Sequence, residues 1–263
     1  MKALLAIEWL KLKRYRTFWW LLVFYTASLV LFSLMLYKGI FTMGPKGVNI
    51  LSSLFNFPSV WKNLGFWASF FVDFLAILMI ILVTNEYQYK TNRQNVIDGQ
   101  TRLQFLHAKY GLVLVLSLAG TALYLVNCVV VGGIASGGLQ NVTSGIVQVL
   151  YFFVHCFNFI SFGLLLGVLL KRSGIALSVF LGYQFIVENI LKSLIDNKIY
   201  SGAGTYLPLQ STDDMFPFPL TELARQMAAM SSGPAVYWSA LAGVLWSVLY
   251  YIVARKRLQQ ADI

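Results

Sequence analysis

Gly65-Phe66-Trp67-Ala68-Ser69-Phe70-Phe71-Val72-Asp73-Phe74-Leu75-Ala76-Ile77-Leu78-Met79-Ile80-Ile81-Leu82-Val83-Thr84 is an apolar run broken by one acid. It passes directly into Asn85-Glu86-Tyr87-Gln88-Tyr89-Lys90-Thr91-Asn92-Arg93-Gln94-Asn95-Val96-Ile97-Asp98-Gly99-Gln100-Thr101-Arg102, the strongly polar run of the chain. The first part is long enough to cross a bilayer as a helix, for which about 20 residues suffice. The second leads through Leu103 to Tyr110 into another apolar run. A membrane helix, a polar elbow and a second membrane helix follow, and the rest of the chain repeats the apolar half of that pattern.

Of the 263 residues, 58% are hydrophobic and 11% charged, with a mean hydropathy of +0.70. That composition belongs to a chain whose main solvent is lipid. Six windows of spanning length can be placed, at about 19–37, 65–84, 111–135, 147–170, 175–194 and 236–253. They are continuously apolar, whereas barrel strands alternate polar and apolar residues, so an all-α integral membrane domain covering 1–263 is expected. The apolar run after Arg16 is too long for a signal peptide and lacks a small-x-small cleavage site, so it reads as a retained helix. Residues 1–18, with Leu5, Trp9 and Leu12 on one helical face and basic residues in the second half, read as an interfacial helix.

Threading the spans alternately puts Lys2, Lys11, Lys13, Arg14, Arg16, Lys90, Arg93, Arg102, Lys109, Lys171, Arg172, Arg255, Lys256 and Arg257 on one side. Of the 20 basic residues, only Lys38, Lys46, Lys62, Lys192, Lys198 and Arg225 fall on the other. The positive-inside rule then makes both termini and the polar run cytoplasmic. The net charge of +10 is thereby explained by topology and by anionic lipid headgroups, with no call for a nucleic-acid partner. Cys128 and Cys156 lie inside spans, where free thiols act as small hydrophobes. Outside, residues 38–64 are rich in turn signals. The segment 195–235 is a large extracytoplasmic connection whose stretch Leu220 to Met230 can form a short interfacial or re-entrant helix.

Within the polar run, Asp98-Gly99 is a turn signal. Thr101-Arg102-Leu103-Gln104 has capping-box spacing, with a helix restarting at Arg102. Asn92 to Ile97 can form a short helix along the membrane surface. Residues 85–110 thus form a compact elbow between extensions of spans two and three.

Here the chain resembles the permease subunits of ABC-2-type ATP-binding-cassette transporters, most closely the small six-helix bacterial permeases. The resemblance rests on Glu86, on Arg93-Gln94-Asn95-Val96-Ile97-Asp98-Gly99, and on Arg102 to Lys109. The Glu8-Trp9-Leu10-Lys11-Leu12 helix, the six spans and the large last outer connection support it. It implies the ABC-2 (type V exporter-like) architecture, with 85–110 as a coupling segment seated in a groove of an ATPase subunit and Glu86, Arg93, Asp98, Gly99 and Arg102 contacting or shaping that interface. It also implies two ABC-type ATPases holding ATP and Mg, a second permease copy or a related permease, possible accessory proteins, surrounding lipids and a bacterial inner (plasma) membrane location. The alternatives are an ABC-driven component that transmits force and moves nothing through itself, and an ATP-independent secondary transporter or channel.

The chain contains no Gly-x-x-x-x-Gly-Lys-Ser/Thr phosphate loop, so it is expected to be non-catalytic, with no cofactor of its own. Ser136-Gly137-Gly138 reads as glycines closing a tight connection. No nucleophile–base pair or paired-carboxylate arrangement survives placement of the spans, and no metal site is expected. Asp73 and Glu188 are acids inside spans, where ionisable groups are costly and are functional candidates by default. Asp73 either lines a substrate path or is a structural hydrogen-bond partner. Glu188 has Lys192 one turn later, a spacing that suits an anchoring ion pair.

Overall fold

The computed structural model describes residues 2–39, 52–91, 94, 99, 101–198, 200–219 and 236–260. Arg93, Asp98, the short helix expected at Asn92 to Ile97, save Gln94, and the one at Leu220 to Met230 lie outside the described residues. Helix α1 (Lys2–Lys13) is followed by α2 (Arg16–Tyr37), α3 (Ser59–Gln88), α4 (Arg102–Ser136), α5 (Val147–Leu170) and α6 (Ser173–Lys198). The short α7 (Gln210–Asp213) and the long α8 (Val236–Gln260) complete the order, and no strand occurs among the described residues. Six of these helices, α2 to α6 and α8, are long and apolar enough to cross a membrane.

Helices α3 and α4 overrun the expected apolar windows at both ends, and the added turns carry residues buried in protein, among them Trp61, Glu86, Leu106 and Lys109. The α3 helix begins at Ser59, where Trp61 and Leu64 are enclosed, and runs on to Gln88. The α4 helix begins at Arg102 because Thr101 caps it. The Thr101 hydroxyl accepts from the Gln104 N–H at 3.2 Å, and the Gln104 side chain accepts from the Thr101 N–H at 2.8 Å. Two of the helix's otherwise orphaned donors are thereby satisfied. At its far end Gly137 adopts a left-handed conformation (φ 66°) and closes α4, the role read for the Ser136-Gly137-Gly138 turn.

Helix α5 is the axle of the bundle, packed against α3, α4, α6 and α8. Its tightest seam is with α3. A Cβ on Gly163 would sit 2.8 Å from the Ala76 carbonyl oxygen, and one on Gly167 would sit 3.0 Å from Val83 Cβ. This is the small-xxx-small arrangement that lets membrane helices approach at backbone distance. By contrast α2, α6 and α8 present rows of large apolar side chains outward, among them Trp20, Phe24, Leu31, Ile186, Leu245 and Val248. Outward apolar faces on inward-packed helices are what a lipid environment selects.

Glu8 and Leu12 of α1 are buried, while Ile7, Trp9 and Leu10 face outward. Trp9 and Leu12, expected on one face, are therefore divided between surroundings and core, with Glu8 turned inward beside Leu12.

Candidate functional site

At the elbow end of the bundle, α1, the last turn of α3 and the second turn of α4 meet around Lys109. The capped start of α4 places Lys109 in line with Leu106 and Leu112, all three buried, since residues three apart share a helix face. Its ammonium lies 2.6 Å from Glu8 Oε2 and 2.7 Å from Glu86 Oε1. Lys11 closes the set, 3.1 Å from Glu86 Oε1 and 3.4 Å from Glu8 Oε1. Lys109 is 1% exposed, Glu8 5% and Glu86 7%. The Lys109 ammonium also sits 5.4 Å from the centre of the Phe105 ring. Such burial costs several kcal/mol per ion and is tolerable only with complete pairing. Two acids and two lysines balance, so the knot is neutral; Lys109 is its most deeply buried member, and Glu86 Oε2 has no hydrogen-bond partner among the described residues.

The acid–base state of α1 follows from the same geometry. Burial pushes the Glu8 carboxyl up, but Lys109 and then Lys11 outweigh it and hold it below its ordinary value of 4.5. For Lys11 burial pulls down, and Glu86 with Glu8 more than compensates, raising it above 10.5. A depressed carboxyl contributes stability above its unfolded value and loses it as pH falls through the folded one. A raised ammonium contributes below its unfolded value and loses it as pH rises through the folded one. The stability difference between the wild type and Glu8→Gln is therefore expected to be flat from about pH 5.5 to about pH 9 and to shrink below about pH 4. Thermal melts of both proteins across that range check it.

Further contacts tie the elbow end to the remaining helices. Arg102 donates from Nη1 to the carbonyls of Leu258 and Gln259 at 3.2 and 3.0 Å. It thus pairs a cation with the carbonyl-rich end of α8, where a helix favours positive charge. His107 stacks on Tyr251 and lies 3.0 Å from its hydroxyl. Asn85 donates to the Tyr15 hydroxyl at 2.7 Å, and Lys171 lies over the Tyr87 ring. Gly99 has φ 90° with open space around it, a conformation that a side chain would strain. Of the elbow residues singled out in the sequence, Glu86 is thus inside the knot, Arg102 is bonded to α8, and Gly99 forms a turn.

Glu8, Lys11 and Lys109 had entered the sequence reading only as parts of a helix or of a charge count. A usable signal existed for Lys109, which falls on the apolar stripe of Leu106, Leu112 and Leu116. A lysine on such a stripe needs a buried acid.

A second polar set lies deeper, toward the opposite end. Asp73 of α3 accepts from Gln184 Nε2 at 3.2 Å. Gln184 belongs to a π-helical turn, Tyr183–Val187, inside α6, a distortion that often marks functional positions. His155 of α5 is fully buried, 3.7 Å from Asp213 Oδ1 of α7. Asn158, one turn on, donates to the carbonyls of Pro208 and Gly243 at 3.1 and 3.2 Å.

The expected Glu188–Lys192 pair is replaced by two other pairings. Glu188 Oε1 accepts from the N–H groups of Leu209 and Gln210, at 2.7 and 3.0 Å, and so holds the start of α7. Lys192 instead reaches both oxygens of Asp214 at 2.8 Å. The cause is tertiary: two unpaired backbone donors need a buried acceptor, and Glu188 is 2% exposed. Asp196 secures the preceding turn in the same manner, accepting from Gly202 and Gly204. Residues 200–219 are therefore folded back into the bundle, with Leu209, Met215 and Phe216 in its core.

Cys128 and Cys156 are both buried free thiols. Among the described residues no group of three or more His, Cys, Asp or Glu side chains is placed to hold a metal ion. A comparison with curated proteins finds no match. The family model described as ABC-2 family transporter protein matches residues 4–189. That stretch takes in α1, the knot, the elbow, the α3–α5 seam and the Asp73–Gln184 pair. The chain belongs to the ABC-2 family of transporter proteins, as a multi-pass membrane permease subunit of an ABC transporter.

Proposed function

We propose that this permease is the membrane half of an ATP-driven exporter in a bacterial inner membrane, with both termini and the elbow in the cytosol. Two separate ABC-type ATPases hold ATP and Mg, and a second permease copy or a related permease completes the path. The observation that carries the reading is the knot of Glu8, Lys11, Glu86 and Lys109. The polar elbow hangs between α3 and α4, and a load applied there bends slack loops but moves rigidly connected helices. The knot joins α1, α3 and α4 within two turns of the elbow, and Arg102 adds the end of α8. A push from a docked ATPase then displaces four helices together. Glu86 and Arg102 shape this lever from within, while Arg93 and Asp98 are the elbow charges assigned to contact with the ATPase.

The test is charge reversal at Arg93, a residue of the polar run. With ATPase subunits recovered alongside the chain in mild detergent, Arg93→Glu abolishes the change in ATP hydrolysis that the permease imposes, while its melting temperature stays at the wild-type value. Unchanged modulation of hydrolysis in Arg93→Glu, or an active particle containing only this chain, overturns the reading.

A further inference from the structure

The deep polar set around Asp73 has a surplus of acceptors. Asp73 Oδ1, Gln184 Oε1 and Asn158 Oδ1 are buried without a hydrogen-bond partner among the described residues, and so are the two ring nitrogens of His155, of which a neutral imidazole offers one as acceptor and one as donor. The amide donors of the set are already used: Gln184 on Asp73, and Asn158 on Pro208 and Gly243. No lysine or arginine among the described residues forms an ion pair with Asp73 or Asp213. Lys192, the cation whose charge reaches Asp213, is bound to Asp214. Buried polar groups in native proteins are paired as a rule, and a consistent surplus of one kind asks for the opposite kind from outside.

We propose that this set is the cargo site, and that it binds the protonated amine of an amphiphilic cargo between Asp73 and Asp213. The inference rests on the reading of the chain as a transport subunit and adds the chemical class of what it carries. An ammonium brings three N–H donors and a positive charge, the complement of two carboxylates and neutral oxygen and nitrogen acceptors. A bare metal ion needs closely converging ligands, which these residues do not supply. Hydrogen bonds from an ammonium span longer distances than metal–ligand bonds and tolerate a spread set of acceptors.

Three features give the site shape. The two carboxylates come from separate elements, α3 and α7, with His155 of α5 3.7 Å from Asp213 Oδ1. The Asp213 side chain is 35% exposed whereas Asp73 is 8% exposed, so the approach is from Asp213 inward. Phe159, Phe152 and Phe216 surround His155, with ring centres 4.4, 6.0 and 6.2 Å from its own. Aromatic walls beside a carboxylate pair suit a cation carried on an apolar body. The π turn that aims Gln184 at Asp73 and the folded-back α7 that delivers Asp213 are both irregular elements. Irregular backbone at membrane depth is tolerated where it is enclosed by protein or lines a cavity.

The experiment uses the permease in phosphatidylcholine nanodiscs, a zwitterionic bilayer that does not itself attract cations. Dansylcadaverine, a fluorescent primary amine, is titrated against dansylamide, which lacks the alkylamine. The amine binds saturably and dansylamide does not, and Asp73→Asn and Asp213→Asn each weaken binding by at least about tenfold. Variants are compared only where they remain monodisperse with a wild-type melting temperature. In the wild type, labelling of Asp73 or Asp213 by dicyclohexylcarbodiimide, followed by mass spectrometry, is suppressed when the amine is present. Equal binding of both dansyl compounds, equal binding by variants and wild type, or labelling indifferent to the amine overturns the proposal. No ATPase takes part in these measurements. Failure here removes the cargo class, while the Arg93→Glu measurement decides the coupling separately.

Discussion

Lys109→Met destabilises the permease by about 3–5 kcal/mol, the usual consequence of removing one partner from a buried ion pair. Methionine fills a similar space, so the loss is electrical. Glu8 and Glu86 remain enclosed, and only Lys11, whose side chain is 37% exposed, is left to serve both. Removing Lys11 itself is expected to cost at most about 1 kcal/mol, because solvent screens its share of the knot. The pair of variants therefore separates buried from exposed members of one network. Cys128 and Cys156, both fully buried, supply the readout, since a thiol-reactive fluorogenic dye lights up as the bundle opens. The midpoint for Lys109→Met falls far below that for Lys11→Gln. A second change tests the charge argument: Glu86→Gln placed on Lys109→Met costs less than the sum of the two single variants, since one unpaired charge is removed with its partner. Equal midpoints for Lys109→Met and the wild type would show that the knot carries no load.

The same network shows what can be read in a linear sequence. Signals confined to a few residues were legible, because their partners lie within one turn. The Thr101–Gln104 capping box, the left-handed Gly137 and the six apolar helices are of that kind. Glu8 and Lys109 are 101 positions apart, and nothing in either neighbourhood specifies the other. Their meeting depends on α1 lying against α4, which periodicity does not encode. Where a local rule and a tertiary demand compete, the tertiary demand wins. Glu188 and Lys192 have ideal spacing for each other, yet the bare N–H groups of Leu209 and Gln210 take the carboxylate. Asp73 illustrates the middle case. Its place within an apolar run announced a special role, but Gln184, 111 positions away, could be found only from the fold. Gly163-Leu164-Leu165-Leu166-Gly167, the stretch that sets the central seam, is written plainly in the sequence and needed only to be matched with Ala76 across the gap.

That seam yields the second large effect. Gly163→Val is expected to destabilise the bundle by about 3 kcal/mol, at the upper end of overpacking costs. The obstacle is backbone: an added Cβ at Gly163 would meet the Ala76 carbonyl oxygen at 2.8 Å, and a carbonyl inside a helix cannot turn away without breaking the helix's own hydrogen bond. At Gly167 the nearest atoms are Val83 Cβ and Cγ1, each at 3.0 Å, and the nearest backbone oxygen, that of Ile80, is 3.6 Å away, so a shift of a few tenths of an ångström between the helices makes room. Dye-reported midpoints should therefore rank wild type above Gly167→Ala, then Gly163→Ala, then Gly163→Val. The functional consequence follows from where Ala76 lies on α3. Asp73 is one turn to one side of it, and Glu86 lies farther along toward the elbow. Forcing α3 away from α5 parts Asp73 from the His155 face of α5 and also shifts the Glu86 end of the knot. Gly163→Ala, the milder change, should thus weaken dansylcadaverine binding even though it touches no polar residue, whereas Gly167→Ala should leave it close to the wild type. A Gly163→Ala protein with wild-type melting and wild-type binding would mean that α3 and α5 can separate freely, and neither the lever nor the deep site would then have a rigid frame.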